Sequence, residues 1–256
     1  GMNRLFHHEG EYATSQAAEK YGCYYSLSSL SSVSIEKIGA LTKSPKMFQI
    51  YIHKDKGLTY EFIERCKQAN FTSLCLTIDT IVAGNRERDL RSGMTMPPKF
   101  TPSSLLSFAM RPRWVLNYLT HEAFKLANLE GRTEIGSQKS ISVIDYLNSQ
   151  FDTNLRWDDA KKAIEAWGGP FAIKGIMSVE DAKRAVDIGA SAIMISNHGG
   201  RQLDSSPAPF SILPDIVNAV GGQVEIICDG GIRRGTHVLK ALALGANACS
   251  MGRPYL

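Results

Sequence analysis

The segment Ser196-Asn197-His198-Gly199-Gly200-Arg201-Gln202-Leu203-Asp204 sets an imidazole three residues before a guanidinium, with two glycines between them. Imidazole exchanges a proton near neutral pH, and a planar guanidinium grips a carboxylate through two parallel hydrogen bonds. A base and a carboxylate fork therefore share one short loop. Taken alone, His198 also fits a satisfied core histidine. Asp79, at the end of an apolar run, offers the carboxylate that would fix one tautomer and stabilise the imidazolium. Two further segments, Asp229-Gly230-Gly231-Ile232-Arg233 and Ser250-Met251-Gly252-Arg253, combine glycines with arginines. Glycine lets backbone N–H groups approach an anion and arginine pairs with it. One such loop alone could be a tight turn with an exposed arginine. Found in two loops, the pattern points to a phosphate-bearing cofactor or substrate.

Such residues need a frame that brings distant loops together. Short β-branched and apolar runs alternate with stretches of helical period, the pattern of βα units around a parallel sheet. The runs are Cys23–Ser29, Met47–Ile52, Ser73–Asp79, Phe171–Ile176, Ala192–Asn197, Glu225–Gly230 and Ala248–Arg253. Helical patterns cover Gly10–Tyr21, Leu58–Ala69, Trp157–Trp167, Val179–Ile188 and Gly235–Leu244. The phrase G-A-x-A, at Gly189–Ala192 and Gly245–Ala248, reads as helix end, tight turn and next strand. The fold class expected is α/β, a TIM (β/α)8-type barrel, in which reactive groups sit at the carboxyl ends of the strands. Those positions are polar throughout: Ser28 and Ser29, Gln49 and Tyr51, Thr77 and Asp79, Lys174, Ser196 to His198, Asp229, and Gly252 with Arg253. The chain opens on a helix and stops on a strand, so the barrel is expected to lack its first strand and last helix. Gly1 ahead of Met2 reads as the scar of a removed tag. Residues 1–256 are read as one domain, with a long insertion after the third visible strand, at about 80–156.

Composition narrows the function classes. At 43% hydrophobic and 21% charged residues with a net charge of +4, the chain is an ordinary globular one and gives no ground for nucleic-acid binding. No run approaches the roughly 18 apolar residues of a membrane span, and no signal peptide is visible, so a cytoplasmic protein is expected. The five cysteines form no C-x-x-C pair, which argues against zinc or a disulfide framework and for buried structural thiols. Within the insertion, Met94–Lys125 combines four prolines with leucines, aromatics and basic residues. It is too broken to span a bilayer. It suits the membrane interface, a lid over the active-site mouth or a patch against another subunit.

The segment S-N-H-G-G-R-Q-L-D resembles the active-site motif of the FMN-dependent L-2-hydroxy acid dehydrogenases and oxidases. The resemblance runs through L-S-S (Leu27–Ser29), F-Q-I-Y (Phe48–Tyr51), L-T-I-D (Leu76–Asp79), I-K-G (Ile173–Gly175), D-G-G-I-R (Asp229–Arg233) and G-R (Gly252–Arg253), essentially the whole chain. It implies FMN as cofactor and His198 as the base, with Asp79 as its hydrogen-bonded partner. By the same resemblance Arg201 holds the substrate carboxylate, Arg86 is a second cation and Tyr51 hydrogen-bonds the substrate. Ser28, Gln49 and Thr77 contact the flavin ring, and Lys174 is the cation beside its N1/C2-carbonyl edge. Ser196 touches the ribityl chain, while Asp229, Gly230, Gly231, Arg233, Gly252 and Arg253 hold the ribityl and phosphate end. The family's upstream strand and an earlier substrate-binding tyrosine have no counterpart here, so weak FMN retention is expected.

The phrases E-R-D-L-R-S-G-M (Glu87–Met94) and W-D-D-A-K…G-G-P-F-A-I-K-G (Trp157–Gly175) are most similar to bacterial respiratory L-lactate dehydrogenases. L-lactate to pyruvate is the expected reaction, with L-mandelate or glycolate as the alternative. A quinone, a cytochrome or oxygen would take the electrons. Residues 94–125 would contact the inner membrane face peripherally, and homo-oligomers are expected. Two readings from other classes remain: a non-catalytic truncated fragment with impaired FMN binding, and a phosphate-binding barrel of the inosinate dehydrogenase type. The second needs a nucleophilic cysteine in an active-site loop, whereas Cys66 falls in a helical pattern and the other four in strands.

Overall fold

The computed structural model describes residues 1–82, 84–92, 101–129 and 152–255. Among them are strands β1 (Tyr25–Ser28), β2 (Lys46–Ile50), β3 (Ser73–Thr77), β4 (Phe171–Ile176), β5 (Ala192–Ile195), β6 (Glu225–Asp229) and β7 (Ala248–Ser250). The helices are α1 (Gly10–Lys20), α2 (Ile35–Leu41), α3 (Lys56–Gln68), α4 (Glu87–Ser92), α5 (Pro102–Ala109), α6 (Pro112–Leu119), α7 (Trp157–Trp167), α8 (Val179–Asp187), α9 (Pro209–Val220) and α10 (Gly235–Ala243). The strands lie in sheet order β1 to β7, each next to its predecessor in sequence, and the pairs from β3 onward are parallel. Sequential order with helical crossovers is the topology of the (β/α)8-barrel class, as the alternation predicted.

Strands β2 to β5 are apolar because they are covered on both faces, whereas β6 and β7 are partly open. Leu74, Leu76, Ile173, Ile193, Ile195 and Ile226 are all fully buried. Helix α8 presents Ala182 and Ala185 inward, and α9 presents Leu213, Ile216 and Val220. Local signals set the ends: the Ser178 side chain accepts from the Asp181 N–H at the start of α8, and Gly168 terminates α7 with φ at +71°.

Two compact units divide the chain. One comprises Gly1–Phe48, Glu64–Phe71 and Arg86–Gln150; the other comprises Gln49–Ile63, Thr72–Asn85 and Phe151–Leu256. In the first, Phe48 meets Phe71 edge to face at 5.8 Å between centroids, and Leu27, Ile35 and Ile38 are fully buried. The second holds β3 to β7 and their carboxyl ends.

The insertion contains three short helices among its described residues, and 93–100 and 130–151 lie outside the description. In α5 and α6, Leu105, Leu106, Met110, Leu116 and Leu119 are exposed. Phe108, Trp114 and Tyr118 stack in sequence at 5.3 and 5.2 Å. No helix among the described residues is long and apolar enough to cross a membrane. The cysteine expectation needs one correction, because Cys23 is exposed. Strand β1 begins only at Tyr25, which leaves Cys23 in the turn after α1.

Candidate active site

Ser196 is the centre of a buried polar network at the ends of β4, β5 and β6. Its hydroxyl donates to Asp229 Oδ2 at 2.6 Å and accepts from Lys174 Nζ at 3.0 Å and from the His198 backbone N–H at 3.1 Å. Lys174 and Asp229 themselves stand 3.7 Å apart. The parallel register aligns Thr77 with Lys174, and Ile195 with Cys228 next to Asp229, so the strand ends meet at one level. Ser196 is fully buried and makes three hydrogen bonds, which holds an ammonium and a carboxylate at fixed positions.

His198 follows this hub in a left-handed backbone conformation, φ +57°. Such a conformation is unusual for a residue with a side chain and is held here by the surrounding loop. Its Nδ1 lies 3.0 Å from Asp79 Oδ1, with side chains 25% and 12% exposed. A carboxylate only accepts, so Nδ1 carries the hydrogen, and in the neutral ring the lone pair lies on Nε2. The second oxygen of Asp79 is buried and has no hydrogen-bond partner among the described residues. Gly175 explains how β4 passes this carboxylate: its φ is +106°, and a Cβ there would stand 2.9 Å from the Asp79 Cβ. The β4–β5 register shifts between Lys174 and Ile176, as expected of an irregularity that turns the strand aside. Gln202 adds a clamp, its Nε2 donating to the carbonyls of Asp79 and Val82 at 3.0 and 3.1 Å. A Cβ at Gly84 would come within 2.1 Å of the Arg201 carbonyl oxygen, so the two loops touch through backbone.

The loops after β5, β6 and β7 enclose a cleft of about 520 Å³ lined by Asn197, Gly199, Gly230, Gly231, Arg233 and Arg253. Gly230 and Gly231 have φ of +116° and +72°, and a Cβ on Gly231 would meet nothing within 4 Å. The open backbone, two arginines and the volume fit a phosphate ester such as the end of FMN. Arg253 Nη2 donates to the Gly199 carbonyl at 2.7 Å, tying the last loop to the histidine loop. Two basic lining residues were not foreseen, His237 and Lys240 from α10. His237 Nδ1 lies 3.2 Å from both the Arg233 N–H and the Gly231 carbonyl. Their only signal in the sequence was a place in the first two turns of the helix behind D-G-G-I-R.

Gln49 Nε2 donates to Thr77 Oγ1 at 2.9 Å, pairing the ends of β2 and β3, and Tyr51 is buried just beyond. The second unit thus holds Gln49, Tyr51, Thr77, Asp79, Lys174, Ser196, His198, Arg201, Asp229, Gly230, Gly231, Arg233, Gly252 and Arg253. Ser28 and Arg86 belong to the first. Burial raises the Cys75 thiol to about 12 and Cys228 to about 11, and raises Cys66 as well. Buried, protonated thiols are poor nucleophiles, so Cys66, Cys75 and Cys228 do not suit a cysteine-dependent barrel.

A family model described as FMN-dependent dehydrogenase matches residues 1–256. The L-lactate oxidase of Nostoc sp. is 40% identical over 256 residues, covering 98% of this chain and 64% of its own length. Glycolate oxidase 1 of Oryza sativa subsp. indica is 36% identical over 255 residues, covering 100% and 63%. The crystal structure of the monotopic membrane protein (S)-mandelate dehydrogenase superimposes with a TM-score of 0.91 at 32% identity, over 99% of this chain and 66% of that one. The chain therefore spans about two thirds of the length of these relatives.

Proposed function

The chain belongs to the family of FMN-dependent dehydrogenases, and from that premise we propose that its site oxidises an L-2-hydroxy acid, with L-lactate to pyruvate as the reaction. The observation that carries this reading is the 3.0 Å contact of His198 Nδ1 with Asp79 Oδ1, in the same unit as the glycine and arginine cleft. With Nδ1–H held by the carboxylate, Nε2 is the atom that takes the proton the substrate releases, and Asp79 stabilises the resulting cation. Arg201 grips the substrate carboxylate and Tyr51 hydrogen-bonds its oxygen. When bound, FMN supplies the two-electron acceptor that lets the carbinol carbon become a carbonyl. Lys174, fixed by Ser196, places a positive charge where electron density accumulates, and Asp229, Arg233 and Arg253 hold the ribityl and phosphate end. Arg86 as a second cation and Ser28 as a ring contact rest on the family resemblance alone.

The lactate assignment is supported by the 40% identical lactate oxidase, while glycolate and mandelate enzymes stand among the relatives too. Exposed Leu105, Leu106, Met110, Leu116 and Leu119 support peripheral membrane contact through 94–125, a segment whose residues 94–100 lie outside the description. We place the protein at the inner membrane face as a homo-oligomer that passes electrons to a quinone, a cytochrome or oxygen. The test is anaerobic mixing of FMN-loaded protein with L-lactate, L-mandelate and glycolate, following flavin absorbance. Bleaching fastest with L-lactate is expected; fastest bleaching with L-mandelate reassigns the substrate, and bleaching with none removes the hydroxy-acid reading.

A further inference from the structure

A second pocket lies in the first unit, among the first turn of α1, the segment before α2 and the chain after α6. It measures about 440 Å³ and is lined by Arg4, His8, Lys37, His121 and Lys125, with Glu9 and Glu122 as its two carboxylates. Arg4 is only 6% exposed. Its Nη2 donates to the Tyr118 carbonyl at 3.1 Å, and its guanidinium lies 5.2 Å from the centre of the Tyr118 ring. Nε and Nη1 are buried without a hydrogen-bond partner among the described residues. The neighbouring acid, Glu11, makes no ion pair with it; that carboxylate accepts instead from the N–H groups of Asn3 and Ser32 and from the Ser32 hydroxyl. Arg4 makes no ion pair among the described residues. A buried guanidinium without a counter-ion is costly, and such a group bordering a pocket marks a place for an anion.

The imidazoles add to this field. His8 and His121 stack with centroids 3.8 Å apart and planes at 13°, and His121 Nδ1 is 3.0 Å from the Asn117 carbonyl. Desolvation, then the His121 and His7 rings, hold His8 below the usual histidine value, with Glu9 acting in the opposite sense and Arg4 adding to the lowering. Like-charged groups gathered around one cavity repel one another until an anion enters. Arg4, Lys37 and Lys125 place permanent positive charge around the pocket.

We propose that this pocket binds a phosphate group, held by Arg4, Lys37, Lys125 and the His8–His121 pair. Its volume admits a small phosphate ester or the headgroup of an anionic lipid. The exposed leucines of α5 and α6 belong to the same unit, and the Phe108–Trp114–Tyr118 stack runs from them to Arg4.

Arg4→Gln risks the fold by removing the Tyr118 bond, so the test rests on the exposed Lys37 and Lys125. Inorganic phosphate is titrated into isotopically labelled protein while the backbone amides of Gly10, Ser32 and Ser34 are followed. The Gly231 amide reports separately on the other cleft. Saturable shifts of the first three are expected, with the midpoint raised at least about tenfold in Lys37→Gln/Lys125→Gln. In a second arm, sedimentation compares phosphatidylglycerol with phosphatidylcholine vesicles. Phosphatidylglycerol binding that is lost in the double variant identifies a lipid headgroup as the source of the phosphate. Amide shifts without any preference between vesicles identify a soluble phosphate compound. The proposal is overturned if neither the amides nor the vesicles respond, or if the double variant behaves as the unaltered protein in both arms.

Discussion

The two histidine sites differ in what surrounds the ring. His198 faces a carboxylate at 3.0 Å, on a backbone held at φ +57° by the loop around it. His8 faces another imidazole at 3.8 Å and a field of cations. The first environment fixes the orientation of the ring through an acceptor on its Nδ1 side. The second disfavours the proton until an external anion arrives. Under the two proposals the same side chain serves proton transfer in one unit and anion capture in the other, and the neighbours decide which.

The comparison is broken most severely at the catalytic ring. His198→Gln in FMN-loaded protein is expected to slow flavin bleaching by about 10³-fold, whereas His8→Gln should leave the rate within about twofold. Equal losses from both would erase the distinction. Asp79→Asn, which offers an N–H where Nδ1–H needs an acceptor, should cost about 10²-fold or more with little change in unfolding midpoint. Gly175→Ala should lower stability by roughly 2–3 kcal/mol in urea unfolding, because the added Cβ meets Asp79 and φ is +106°. An unperturbed midpoint would mean that β4 yields where the site requires it rigid. The smallest effect concerns the first unit. There the Arg65 guanidinium holds the Glu36 carboxyl down to about 2 from its ordinary 4.5. A depressed carboxyl contributes stability above its unfolded value and loses it as the pH falls through the folded one. Glu36→Gln should therefore flatten the stability profile between about pH 4.5 and pH 2, by less than about 1 kcal/mol because the pair is partly exposed. A double-mutant cycle with Arg65 measures the effect.

Much of the second unit was legible because its rules are local. Trp157–Trp167 and Phe171–Ile176 were read to the residue, since apolar period and flanking turns coincide there. The other strand ends were read one to three residues too long, at Asn197, Asp79 and Arg253 for example, because the polar residues that make the site continue past the last sheet hydrogen bond. His198, Asp79 and the glycine and arginine loops stood out by residue type. The hub role of Ser196 did not, since a serine acquires it only when β4 and β6 bring Lys174 and Asp229 to its hydroxyl. The first-unit pocket was invisible for a similar reason: its stacked rings are far apart in sequence, and nothing local to either signals the other. Exposed Cys23 was misread because an apolar run does not reveal where pairing starts.

Gln202 reaches from the histidine loop to two carbonyls beyond β3. One amide thereby ties the His198 loop and Asp79 into a single mechanical body. Heating that loosens either loop should free both together. Loss of activity should then follow a single sharp step, earlier than global unfolding, rather than a gradual drift in geometry.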